Sequence, residues 1–212
     1  MTRKALIFLA VLVAFSLACA WFDDDVTNVT YQESVEVQFL IDAELLCPPA
    51  EDCTVPPTPT NQEVALTPIE FDVKVDIVEA TGNEDLAGAA GQFRSIEITS
   101  IDYHYTQNTL NLDLPPLKIY VGPLNATKHN GTGVVELTTI PAVQAGKSDR
   151  GTAPAVAANV EAISEHFKTL KFAAIPYAAV VIPEGQPFPP IGAANLKLTL
   201  NLKLVANPAD AL

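Results

Sequence analysis

Residues Asn195 to Leu204 read NLKLTLNLKL, with leucine at every even position and Asn, Lys or Thr at every odd one. A two-residue period puts all of these leucines on one face of an extended strand and the polar residues on the other. Fully burying each leucine contributes roughly 1.5–3 kcal/mol, so the strand demands an apolar surface to lie against. Lipid around an outer-membrane barrel could serve, but barrel strands come as many similar neighbours with aromatic girdles, and only 7% of this chain is aromatic. The ribbon therefore predicts the inner face of an antiparallel sheet resting on a core.

Working outward, other segments repeat the pattern. Ser34 to Ile41 (SVEVQFLI) and Phe71 to Ile77 (FDVKVDI) alternate apolar and polar residues. Ile96 to Thr106 (IEITSIDYHYT) alternates too, but its apolar residues move from even to odd positions between Ile98 and Ile101, which predicts a β-bulge. LNLDL (Leu110 to Leu114) is cut by Pro115-Pro116 before LKIYV resumes at Leu117; GVVELTTI (Gly133 to Ile140) and YAAVVI (Tyr177 to Ile182) are more continuously apolar. Only one segment reads as a convincing helix. From Pro154 to Leu170, the residues Val156, Val160, Ile163, Phe167 and Leu170 fall at helical spacing, with Glu161, Glu165 and Lys168 off the stripe.

Half-buried strands in this number predict an all-β fold: one antiparallel β-sandwich over 26–208, with an amphipathic helix from about Val156 to Leu170 packed on it. The alternative is a lipocalin-like closed barrel, which uses the same strands around a cavity. Pro48 to Asn61, with Pro48, Pro49, Pro56, Pro57 and Pro59, should be a semi-rigid surface loop. GPLNATKHNGT (Gly122 to Thr132) and AGKSDRGT (Ala145 to Thr152) read as edge loops, and 209–212 as a tail.

The first residues carry a different message. Arg3 and Lys4 precede an apolar run from Ala5 to Leu17, and Ala18, Cys19 and Ala20 follow, the three parts of an export signal over 1–18. The run is shorter than the roughly 20 residues a membrane-spanning helix needs. Phe15-Ser16-Leu17-Ala18-Cys19 resembles the lipobox of bacterial lipoproteins, departing from its commonest form in carrying Ser16 and, one place later, Leu17. The resemblance implies acylation of Cys19, with 19–25, including Asp23 to Asp25, as an acidic tether. The other reading is cleavage after Ala18-Cys19-Ala20, which frees a soluble secreted chain at Trp21. The chain has three cysteines. Cys47 and Cys53 bracket CPPAEDC and would pair in an oxidising compartment, which leaves Cys19 either lipidated or discarded with the signal.

A formal charge of −13 and a pI near 4.4 leave no basic stripe for nucleic acid. The expected partners are a membrane through a lipid anchor and an envelope protein or polysaccharide. No catalytic residue, metal ligand or cofactor is assigned. His104, His129 and His166 are too far apart for a local metal motif, AGKSD has Pro141 where a phosphate loop needs its first glycine, and no serine sits in G-x-S-x-G. Asn28, Asn125 and Asn130 open N-x-T sequons, which beside a lipobox-like signal read as coincidence. The functional expectation is an exported, lipid-anchored envelope or surface protein with a structural or binding role, acting through the proline-rich loop and the loops near Asn125 and Lys147. The alternatives are a carrier of an apolar ligand and a hydrolase whose site is dispersed in sequence.

Overall fold

A computed structural model describes residues 28–207 of the chain. The leucine ribbon becomes β13 (Ala193–Ala206), flanked on both sides by antiparallel strands, β1 (Val29–Asp42) and β6 (Phe93–Asn108). With β9 (Arg150–Ala153) they form a four-stranded sheet in the order β1-β13-β6-β9. The five ribbon leucines, Leu196 to Leu204, are each at most 2% exposed, whereas the polar residues between them stay partly exposed. One face of this sheet is therefore core and the other is wet.

Strand β6 is longer than the stretch of β13 it pairs with, so it must shed residues. Register slips fall at Asn195/Leu196, Asn201/Leu202 and Val205/Ala206. At the middle one, Ile98 faces Leu202 and Ser100 faces Asn201, leaving Thr99 unpaired. Its hydroxyl donates to the Asn201 carbonyl at 3.0 Å. This is the bulge that the shift of phase between Ile98 and Ile101 predicts, and it keeps Ile96 and Ile101 both inside.

The second sheet contains β7 (Leu117–Gly122), β8 (Val135–Ile140) and β10 (Lys171–Ala178), with β4 (Ile69–Glu70) and β5 (Val73–Asp76) both paired to β10. Two short ladders extend it: β3 (Val64–Ala65) on β11 (Val181–Ile182), and β2 (Thr58–Pro59) on β12 (Pro187–Phe188). Taken together, Thr58 to Asp76 runs antiparallel along Lys171 to Phe188, from Thr58 opposite Phe188 to Asp76 opposite Lys171. Pro59, Pro68 and Pro183 lie at or beside the breaks, where a residue without N–H cannot carry the ladder.

Phe39, Ile101 and Leu200 from the first sheet and Ile119, Leu137 and Phe172 from the second belong to one buried cluster. The two sheets end in open edges and do not join. The fold is the antiparallel β-sandwich, and the closed barrel is not formed.

Several boundaries differ from those read in sequence. The helix is α4 (Val160–Lys168), preceded by a 3-10 turn at Ala157–Asn159; it does not start at Val156. Val156 is extended and its N–H bonds the Leu137 carbonyl at 2.9 Å, so β8 holds the segment back from helix. Val160 is consequently exposed, while Ile163, Phe167 and Leu170 carry the apolar contact. Two residues past the helix end lies Leu170, a non-glycine residue at φ 59° whose side chain is buried. Tyr177 to Ile182 is not one strand but the end of β10 and the whole of β11. Leu110 to Leu114 forms only an isolated bridge, Leu114 with Val143. Ile77 leaves the strand to open α2 (Ile77–Thr81), after α1 (Ala43–Leu46) and before α3 (Asp85–Gly88). Asp42 and Asp76 cap α1 and α2, accepting the Glu44 N–H at 3.0 Å and the Val78 N–H at 3.0 Å. A bond from the Lys171 side chain, outweighing desolvation, holds the Asp76 carboxyl below its ordinary pKa.

Candidate interaction surface

The register of β1 on β13 fixes two ends. Val29 lies opposite Ala206, and Asp42 opposite Ala193, so both ends of the described chain leave the sandwich together. A strand rises about 3.3 Å per residue, which puts the Asp42 end roughly 40 Å away.

That far end gathers most of the irregular chain. Cys47 and Cys53 are joined in a disulfide, their Cα atoms 6.2 Å apart. The Thr67 hydroxyl donates to the Cys47 carbonyl at 2.9 Å. The proline-rich loop beyond is strapped to the 183–188 segment: Thr60 N–H bonds the Gln186 carbonyl at 3.0 Å, and its hydroxyl bonds that of Pro183 at 3.2 Å. Asn111 holds the next turn, accepting the Ile191 N–H at 2.9 Å. Asn108, nearly buried, donates both amide hydrogens to the carbonyls of Gln144 and Lys147 at 3.1 and 3.0 Å and accepts the Leu110 N–H. The loop carrying Lys147 is thereby clamped beside the segment that carries the proline-rich loop. Removing the disulfide by Cys47→Ser with Cys53→Ser should lower stability by about 2 kcal/mol, the chain-entropy value for so short a loop, measured by urea unfolding.

Exposed apolar side chains collect at this end. Leu45 is 60% exposed and Ile191 49%, with Leu40, Val55 and Val181 also exposed. A recess of about 180 Å³ opens beside Val181, lined by Asn111, Leu112, Asp113, Ala145, Gln186 and residues 181–183 and 187.

The Asn125 loop lies elsewhere. Residues 123–134 fold over the outer face of the second sheet and cover Ala173 and Ile175, which are fully buried although they do not face the core. The Glu70 Oε1 atom accepts the backbone N–H of His129 at 3.0 Å and lies 2.5 Å from its Nδ1. A carboxylate only accepts, so Nδ1 carries the hydrogen. The imidazole stacks on Tyr177, ring centroids 3.7 Å apart, and tilts toward Tyr120 at 5.4 Å. Lys74 Nζ donates to the Ala126 carbonyl at 2.9 Å, and His166 Nε2 lies 2.7 Å from the Gly133 carbonyl oxygen. Asn125 and Asn130 point to solvent, while Asn28 is half-buried. Two of the three segments expected to bind are thus together and the third is apart.

Burial pushes Glu70 up, but the side-chain and backbone bonds from His129 outweigh it and leave its pKa below the ordinary 4.5. A depressed carboxylate contributes stability that is complete above its unfolded pKa and lost as pH falls through its folded one. Amide-exchange protection at the His129 N–H should therefore hold above about pH 4.5 and fall away in more acid solution. Glu70→Gln should cost roughly fivefold in that protection at neutral pH, about 1 kcal/mol, and abolish the acid dependence.

His104 faces water between buried Tyr103 and Tyr105, as its alternation implies. Burial first, then a bond from its hydroxyl to Asp149 Oδ2 at 3.1 Å, raises the Tyr103 pKa. Among the described residues no group of His, Cys, Asp and Glu is placed to hold a metal ion, and no helix is long and apolar enough to cross a membrane. Cys19 and Asp23 to Asp25 lie outside the described residues. The constellation that sequence reading missed is Glu70 with His129 and Tyr177. It has no local spacing signal, since Glu70 and His129 meet only through the fold.

No family model matches the chain, and no curated protein does. Among solved structures it is similar to that of mud crab tombus-like virus (10% identity, TM-score 0.32, covering 87% of this chain and 86% of that one). The decameric BFDV capsid protein aligns with 11% identity and TM-score 0.32 over 84% of this chain and 98% of that one. The Kashmir bee virus virion gives 12%, 0.31, 84% and 72%. Likeness at this level bears on neither activity nor partners.

Proposed function

We propose that this is an exported, lipid-anchored envelope or surface protein without enzymatic activity, which presents one end of a β-sandwich to another surface component. The observation that carries the reading is the opposition of the two ends. Asn28 emerges where β1 meets the end of β13, so an acylated Cys19 and the acidic 19–25 segment would hold that end at the membrane. The segments with exposed Leu45, Val55 and Ile191 would then face away from it, by the length of β1. Acyl modification, not the acidic surface, supplies the membrane affinity, since net negative charge is repelled by anionic headgroups.

Packing of the inner faces supports a binder over a carrier. A carrier needs an apolar cavity of about 300–1,000 Å³, whereas Phe39, Leu200 and Phe172 sit in one cluster at no more than 1% exposure. The test is in-cell photo-crosslinking with the label at Ile191 or Leu45, compared with Val29. Adducts that form from the first two, vanish on charge reversal of the neighbouring tip residues and are missing from Val29 are the expected result. Equal labelling from both ends would contradict it.

A further inference from the structure

We infer that the recess at the loop end is a socket for one long cationic side chain of a protein partner, with Asp113 as the residue that receives the charge. The inference rests on the reading of that end as the binding end. The recess, about 180 Å³, is smaller than the 300–1,000 Å³ of sites that enclose a whole small molecule. One side chain is the ligand that fits.

The lining selects its chemistry. Leu112, Val181, Pro183 and Pro187 supply apolar walls, and no aromatic ring lines the recess, so it lacks the flat platform on which a sugar would stack. Aliphatic walls ending in a carboxylate match the stem and head of lysine or arginine, which bury their methylenes and keep the charge at the rim. The Asp113 Oδ1 atom accepts the Ala145 N–H at 2.7 Å, which fixes the carboxylate before any ligand arrives. Among the described residues no lysine, arginine or histidine pairs with it. Lys147, two residues past Ala145, and Glu184, beside Pro183, are exposed charges of opposite sign outside the lining, and Asp113 is the one charged residue within it. The walls are held as firmly: Asn111 binds the Ile191 N–H, and Gln186 carries the Thr60 contact through its carbonyl. Preorganised walls and a fixed charge lower the cost of ordering on binding. The chain's net charge of −13 would draw a basic partner and repel a second acidic copy.

The experiment is an amide NMR titration of the full chain in detergent micelles with N-acetyl-arginine amide, against the neutral isostere N-acetyl-citrulline amide. Saturable shifts at Leu112, Asp113, Ala145 and Gln186 in the millimolar range are expected with the arginine compound and not with citrulline. Asp113→Asn keeps an acceptor for Ala145 and should weaken binding at least tenfold. Val181→Trp, a change at an exposed position, should fill the recess and remove the shifts while leaving the rest of the spectrum in place. Equal response to citrulline, unchanged affinity in Asp113→Asn, or no saturable shift would overturn the socket. Loss of the Ile191 cross-links with arginine binding intact would instead overturn the reading of the loop end as the place where a partner docks.

Discussion

Leu200→Ala is expected to lower the unfolding free energy by about 3 kcal/mol, and Thr199→Ala, one position away, by under about 0.5 kcal/mol. Leu200 is 1% exposed, lies between Val35 of β1 and Ile101 of β6, and faces the second sheet. Truncating it removes the transfer energy of the lost carbons and leaves a cavity that paired strands on both sides prevent from closing. Thr199 projects from the opposite face toward solvent. Domains of this size hold only about 5–15 kcal/mol in total, so the change at Leu200 consumes a large fraction of stability. Urea unfolding with an unchanged slope is the measurement. Equal effects at the two positions would mean that the ribbon is not split between core and water.

The second large effect concerns location. Cys19→Ala leaves small residues at Ala18 and Ala20, so a general signal peptidase could still release the chain, but removes the only thiol in the lipobox-like segment. The protein should move from the membrane fraction to the soluble fraction almost completely. A single myristoyl chain binds membranes only marginally, whereas two or more acyl chains hold stably, and none would remain on the variant. No helix of the described residues is long and apolar enough to cross a membrane, and the chain's net charge is negative. Unchanged membrane association would contradict the tether.

The first sheet was legible because its period survives in sequence. Strands with one dry and one wet face must alternate, and β1, β6 and β13 do, even to the shift that marks the bulge at Thr99. In the second sheet β5, β7 and β8 fall on segments that also read as strands, and it is the central strand that hid itself, for the same reason reversed. Strand β10 is covered on its inner face by the core and on its outer face by the 123–134 loop, so Phe172, Ala173, Ala174 and Ile175 read as one apolar run. Pro176 within it argues against a strand, and the helical stripe running into Leu170 claims its beginning. Strand β9 has no pattern at all: RGTA is a strand through its pairing with Ile101 to His104, and Gly151, opposite Tyr103, lies against that ring, where a Cβ would come 3.0 Å from the hydroxyl oxygen. Helix α4 was placed too early because spacing alone cannot show that Val156 is bonded to Leu137.

The interaction surface was legible only where its chemistry is local. The six-residue separation of Cys47 and Cys53 points to a bridge, and turn residues mark the loops near Asn125 and Lys147. That the Lys147 loop meets the proline-rich strap, while the Asn125 loop is latched to Glu70 on another face, depends on Asn108, Thr60 and His129. Their partners lie tens of residues away or more.

The central claim, a sandwich held at one end so that the other is free to bind, is tested most directly by the mass of the N-terminal peptide of the protein recovered from the envelope. The expected result is a peptide beginning at Cys19 and carrying acyl chains on that residue. An unmodified peptide beginning at Trp21 would contradict it.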